Sequence, residues 1–177
     1  MLPASVLQMP ARLLRLRPER PWQEHAGLYR DLFADPAVAA TLWPGPDGGP
    51  RSDRQAYAIL ATDLLHWQRE SFGPWLFFET STGVFVGRCG LRRATVLGRR
   101  SVELLYAVRS DSWGEGHATE MASVAMAHAR RTGLAEVVGF TATTNGASRR
   151  VLEKAGMRFE TIFEHAGLPH WLGRALP

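Results

Sequence analysis

One cysteine, Cys89, and one lysine, Lys154, are all that this 177-residue chain has of either type. A lone cysteine excludes an internal disulfide. In Gly87-Arg88-Cys89-Gly90 it has no nearby His or Cys to suggest a metal site, so it reads as a strand residue that packs, in a reducing cytoplasm. No apolar run approaches the ~20 residues that span a bilayer, and no membrane partner is expected. Met1 to Pro10 has no basic start and no sustained apolar stretch, so no signal peptide is expected either. No internal repeat is visible.

What remains is an ordinary globular composition, 45% hydrophobic and 21% charged, which reads as a single domain over residues 1–177. The net charge of +4 is carried almost wholly by arginine. Such a balance fits nucleic acid or a polyanionic cofactor. The arginine pairs at 92–93, 99–100, 130–131 and 149–150 are scattered, and no basic helix face interleaved with exposed aromatics emerges. Nucleic acid is not expected as a partner.

Periodicity orders the chain. Ala11 to Arg17 alternates as a first strand ending at Pro18. Pro21 to Ala34 and a short turn from Asp35-Pro36 to Leu42 are helical, and Pro44 to Pro50 is a loop that neither helix nor ladder can use. Ser52 or Asp53 caps a helix from Arg54 to Glu70. Pro74–Thr80 and Val84–Leu91 form a hairpin, and Arg99–Val108 a further strand. A helix opens near Ala118 and runs to Arg131. Val137–Ala142 is a strand, Ser148–Ala155 a helix ending at Gly156, and Met157–Glu164 and Pro169–Leu176 the last two strands. The order β-α-α-β-β-β-α-β-α-β-β predicts an α/β (α+β) fold: a mixed sheet with helices on both faces.

The most informative stretch lies between a strand and a helix, Trp113-Gly114-Glu115-Gly116-His117-Ala118-Thr119. Two glycines one residue apart permit a tight turn and remove side chains that would block a ligand. The amides of the helix's first turn lack intrahelical partners and suit a phosphate. No Lys-Ser/Thr follows, which argues against a P-loop, and the G-x-G-x-x-G spacing of a dinucleotide fold is absent. The cradle is of another kind.

A second segment narrows it: Asn145-Gly146-Ala147-Ser148-Arg149-Arg150-Val151-Leu152-Glu153-Lys154-Ala155-Gly156-Met157. With the glycine turn, this segment resembles the GNAT N-acetyltransferase superfamily, and within it the branch of ribosomal-protein alanine N-terminal acetyltransferases. Trp113 stands where the superfamily more often has Arg or Gln, and Met157 where the branch often has Phe. The motifs occupy about Glu103 to Phe159. The resemblance implies a single-domain, mostly antiparallel sheet of about seven strands, splayed between strands 4 and 5. It implies acetyl-CoA as co-substrate and acetyl transfer to an amine acceptor, a peptide N-terminus or a small molecule, in a ternary complex. It is also compatible with a homodimer.

Residue by residue, it implies that backbone groups of Tyr106, Ala107 and Val108 pair with the pantetheine arm like an added strand. Amides from Trp113 through Gly114, Glu115, Gly116, His117, Ala118 and Thr119 take the pyrophosphate, and Arg109, Arg149 and Arg150 offer it charge. Asn145 either bridges cofactor and backbone, caps the following helix, or does both. Ser148 either donates a proton to the departing thiolate or is a structural hydroxyl.

Amine attack needs a proton acceptor, and Glu103 leads. Strand alternation puts it on the side of Leu105, opposite Leu104, so a twist or bulge is called on to aim it; the alternative is a salt-bridged strand carboxylate. His170 is a reserve at the substrate site, and Trp43 is placed to wall an acceptor pocket. The acceptor is read by the first helices, the Pro44–Pro50 loop and the last hairpin. Cys89 stands in neither motif, which argues against a covalent thiol intermediate. A non-catalytic acyl-CoA-binding regulator shares the same cradle, and a nucleic-acid module is a weaker third reading.

Overall fold

The computed structural model describes residues 15–46 and 48–177. Ala11 to Leu14 of the predicted first strand and Asp47 of the loop lie outside the described residues. One seven-stranded sheet organises the chain, in the order β1-β2-β3-β4-β5-β7-β6. The strands are β1 (Leu16–Glu19), β2 (Pro74–Glu79), β3 (Phe85–Val96), β4 (Arg99–Val108), β5 (Val137–Ala142), β6 (Arg158–His165) and β7 (Leu168–Ala175). The helices are α1 (Ala26–Ala34), α2 (Pro36–Leu42), α3 (Asp53–Arg69), α4 (His117–Arg131) and α5 (Gly146–Lys154).

All neighbouring strands pair antiparallel except β4 and β5, which are parallel and joined at one register position, Glu103 with Val138. Beyond Glu103 the two strands part. The edge of β4 from Leu104 to Val108 therefore faces β5 without a partner strand, and β3 holds it from the other side.

Helices cover both faces. Met121, Ala122, Ala125 and Ala129 of α4 pack with Leu91, Leu104, Leu152 of α5 and Trp171 in the larger core. On the opposite face Tyr29, Phe33, Val38, Ala56 and Leu60 of α1 to α3 pack on Leu76, Phe85 and Ala107. The strand alternation of β4 divides its side chains between these layers, and that division later separates the two halves of the site.

Several boundaries and one helix count differ from the sequence reading. Pro18 does not end β1 but pairs within it, opposite Phe77, because β1 is an edge strand whose outer side needs no amide donor. β3 runs past Leu91 to Val96; its last turn pairs with β4 through a two-residue connection, Leu97 and Gly98, both at positive φ as tight hairpins require. The run from Pro21 is not one helix: a 3-10 turn at Gln23–His25 precedes α1. The helical turn from Asp35 to Leu42 stands as read, as α2 capped by the Asp35 carboxylate; counted by itself it makes three helices between β1 and β2 where the element order had two.

Candidate active site

Two concavities meet where the sheet opens. The first, about 400 Å³, is a cleft between the end of β4, the turn before α4 and the start of α5. It is lined by Tyr106, Ala107, Val108, Trp113, Gly114, Gly116, His117, Ala118, Thr119, Asn145, Ser148 and Arg150. Glu115 is not among its walls; it lies on the outer side of the turn, where its carbonyl accepts from Arg15 Nη2 at 2.9 Å. Lys154, which the sequence reading passed over, joins Arg150 one helical turn away.

The turn's geometry follows from its glycines. Gly114 and Gly116 sit at φ +82 and +81, and a Cβ on Gly114 would meet open space, so the constraint there is conformational. Gly116 is the left-handed N-cap of α4 and supplies no side-chain cap, which leaves the first-turn amides open. The Trp113 indole donates to the Val108 carbonyl at 2.8 Å and ties the turn to the strand end. Glu120 on α4 accepts from the Leu16 amide and Arg15 Nε, both at 3.0 Å, which fastens the helix start to β1.

These features fit a long phosphorylated ligand with an amide-bearing arm. The open edge of β4 suits the amides, while the first-turn N–H groups, Arg150 and Lys154 suit the phosphates. His117 supplies a further sign: it is 4% exposed, and its Nδ1 is buried without a partner among the described residues. A donor or acceptor brought into the cleft would satisfy it.

Asn145 caps α5, its Oδ1 accepting from the Ser148 amide at 3.0 Å, while its side chain also lines the cleft. Arg109 is turned elsewhere, bonded to Asp111 and to the Phe85 carbonyl. Arg149 pairs with Glu153 and lies over Trp171, leaving Arg150 as the member of that pair facing the cleft.

The second concavity, about 570 Å³, lies on the α1–α3 side of the sheet. Thr41, Leu42, Tyr106, Ala107 and Ser148 belong to both concavities, so the gap between β4 and β5 is the passage joining them. Trp43 and Arg51, at the two ends of the Pro44–Pro50 loop, line the second one, as do His165 and His170 of the last hairpin.

At the passage stands a contact the sequence did not announce. The Tyr106 side chain points to the α4–α5 layer, and its hydroxyl lies 2.7 Å from Ser148 Oγ and donates to the Ser148 carbonyl at 2.9 Å. Burial raises the Tyr106 pKa well above that of a free phenol, so it stays protonated. Alternation carried the signal, since Tyr106 must face away from Glu103 and Leu105.

Glu103 is 6% exposed and lines the second cavity. No bulge re-aims it, because the β3–β4 register is continuous from Gly87–Val108 to Val96–Arg99. Its own side of the strand already faces that cavity. Arg92, opposite it on β3, donates Nε to Oε2 at 2.8 Å, so the salt-bridged carboxylate is present as well.

Deeper in the same wall, Asp63 of α3 is buried at 2% exposure and accepts Arg88 Nε and Nη2, each at 2.6 Å, and the Tyr29 hydroxyl at 2.6 Å. Burial opposes the Arg88 charge, but the Asp63 carboxylate outweighs it and the pKa is raised. A carboxylate on the apolar face of α3 was the available signal for this pair.

His170 gives Nδ1–H to the Leu168 carbonyl at 3.0 Å, and His165 stacks edge-on against it at 5.2 Å. Burial first, and His170 second, lower the pKa of His165 and favour its neutral form. The Cys89 thiol is fully buried and its pKa is raised by that burial.

The split sheet thus joins a glycine cradle at one mouth to a carboxylate-bearing cavity at the other through a single gap. The family model described as an acetyltransferase (GNAT) domain matches residues 14–158, and the chain belongs to that family of acetyl-CoA-dependent acyltransferases. The uncharacterised protein YkkB of Bacillus subtilis (strain 168) is 27% identical over 138 residues, 77% of each chain. Among solved structures, the chain is similar to an acetyltransferase of Salmonella typhimurium that modifies the N-terminal serine of a 50S ribosomal subunit protein. That match has a TM-score of 0.75 and 14% identity over 93% of this chain and 96% of that one. It is also similar to a spermidine N-acetyltransferase of Vibrio cholerae in complex with CoA and spermine. There the TM-score is 0.72, with 13% identity over 92% of this chain and 95% of that one. Similarity at this level shows a shared fold, and the two acceptors differ. Among the described residues, no helix is long and apolar enough to cross a membrane.

Proposed function

We infer that this protein transfers the acetyl group of acetyl-CoA directly to a primary amine, with both substrates bound at once. The observation that carries the reading is the shared wall: Tyr106, Ala107 and Ser148 line the cofactor cleft and the second cavity alike. Acetyl-CoA supplies the activated acyl group as a thioester. The first-turn amides of α4, Arg150 and Lys154 hold its phosphates, and the free edge of β4 orients its arm toward Ser148.

The bookkeeping of the step is simple. A carbon–nitrogen bond forms and the carbon–sulfur bond breaks; an amine that arrives protonated loses two protons, one released to solvent through Glu103 and one matched by the proton that reaches the sulfur. Glu103 takes the first proton: it lines the cavity, with Arg92 on its Oε2. An alkyl amine has a pKa of about 10 and arrives protonated, so it needs this acceptor, directly or through water. Ser148 delivers the second proton, its hydroxyl held by Tyr106. A thiol with a pKa of about 8.5 is an easy leaving group and asks only modest help. Cys89, buried and protonated, takes no covalent part, and it suits the cytoplasmic location proposed here.

The test is thiol release from acetyl-CoA with a panel of amines, followed by initial rates at varied concentrations of both substrates. Intersecting reciprocal lines are expected. Parallel lines would place a covalent enzyme species on the path, and binding without any thiol release would favour a regulatory acyl-CoA sensor.

A further inference from the structure

The charges on the second cavity's walls narrow the kind of amine it takes. Three guanidinium groups line it, Arg51, Arg88 and Arg92, against one carboxylate, Glu103. Arg92 is committed to Glu103. Arg88 gives Nε and Nη2 to Asp63 and lies against the Tyr29 and Phe33 rings, so its charge is already balanced. Arg51 lies over the Trp43 ring, Cζ to centroid 3.9 Å, and has no carboxylate partner among the described residues. Stacking on an indole fixes the guanidinium's plane and leaves its edge N–H groups free to bind.

One aromatic wall runs between Arg51 and Arg88. Phe33 stands 5.5 Å from Trp43, centroid to centroid, and Arg88 Cζ lies 6.0 Å from the Phe33 ring. Arg88 is also opposite Ala107 in the β3–β4 register, and Ala107 belongs to the passage between the two concavities. That wall therefore leads from Arg51 toward the point of transfer. Glu103 sits four residues back from Ala107 along the same face of β4, about 13 Å of strand.

We propose that the acceptor is a small primary amine that also carries a carboxylate, as a free amino acid does, with the carboxylate held by Arg51 and the amine directed to Glu103. The proposal rests on the acetyltransferase reading above. Carboxylate and guanidinium meet through charge-assisted hydrogen bonds. A polyamine instead brings several cations to a cavity whose one carboxylate is already paired, and is repelled. The loop limits size as well: a Cβ on Gly45 would lie 3.6 Å from the Ala166 carbonyl oxygen and 3.8 Å from Leu168 Cδ1, so the loop nears the β6–β7 turn and narrows the mouth. The volume suits a small molecule.

The experiment compares thiol release from acetyl-CoA for each common amino acid and for the amine left by removing its carboxylate. Spermidine and a carboxyl-capped peptide complete the panel, and acetyl-CoA-dependent Tm is measured on the same preparations. The expected result is a kcat/KM about tenfold or more higher for the carboxylated member of a pair. Arg51→Gln raises KM for that member about tenfold and draws the ratio toward one, the size of a lost charge-assisted hydrogen bond. Preference for the decarboxylated amine, spermidine or the peptide overturns the proposal. So does an unchanged ratio in Arg51→Gln, or a protein that acetyl-CoA stabilises but that turns over no carboxylated amine. Absence of any Tm response to acetyl-CoA removes the reading beneath it, and the proposal with it.

Discussion

The cofactor cleft and the acceptor cavity share a wall but are made of different material. The cleft is largely main chain: an unpaired strand edge, two glycines at positive φ and the open amides of a helix start. The cavity is largely side chains, and its charges come in pairs brought from distant elements, Arg88 with Asp63 and Arg92 with Glu103. A main-chain site needs residues that permit a conformation, and these sit close together in sequence. A side-chain site needs partners, which the fold alone brings together. The cleft can therefore keep one ligand while the cavity is rebuilt for many.

That contrast can be broken at four points, taken from the largest effect to the smallest. Asp63→Ala leaves Arg88 and Tyr29 buried without their acceptor and is expected to cost about 3–5 kcal/mol of stability by denaturant titration. Acetyl-CoA affinity of the folded fraction should be nearly unchanged; a parallel loss of affinity would mean that cavity and cleft are not separable. Glu103→Gln should lower kcat about 10²-fold or more with acetyl-CoA affinity preserved, as removal of a general base does. Turnover within about twofold of the parent would return Glu103 to a purely structural pairing with Arg92.

Ser148→Ala and Tyr106→Phe probe the seam itself. The first should lower kcat about tenfold and the second less, the double variant falling no further than Ser148→Ala because both act through one hydroxyl pair. Independent, multiplying losses would separate their roles. The smallest effect is on pH. Burial lowers the pKa of His25, His128 and His165 from 6.5, so the unfolded chain binds protons that the folded chain refuses. Stability is then full above 6.5 and declines as pH falls below it. The carboxylates with lowered values, Asp35, Asp111 and Glu160, add their loss only below their ordinary range near 4. A Tm that stays level between about pH 7 and pH 5 would contradict this.

The same contrast explains what the sequence disclosed. Gly114, Gly116, Asn145 and Ser148 are local signals, and the element order around them placed β4, α4, β5 and α5 close to where they stand. The continuation of β3 was missed because Arg92-Arg93 looked like surface charge, when Arg92 is the partner of Glu103 across the strand pair. Pro18 was read as a terminator because edge position is a property of the sheet, not of the residue. Tyr106 was read only for its backbone, yet alternation already required its ring to face α5. Asp63, Arg88 and Arg51 left no motif at all. Their roles come from the α3–β3 packing and from the stacking of Arg51 on Trp43, contacts between residues far apart in the chain.

The central claim is that the glycine cradle and the parted strands are the seat of acetyl-CoA. It is tested most directly by titrating acetyl-CoA into the parent protein and Gly116→Val while following binding heat and Tm. Valine at φ +81 strains the N-cap of α4 and disturbs the first-turn amides it presents, so its binding should weaken about 100-fold or more. The parent's Tm should rise with ligand by linkage and the variant's should not. Equal binding by both proteins, or no binding by the parent at millimolar acetyl-CoA, would contradict the account.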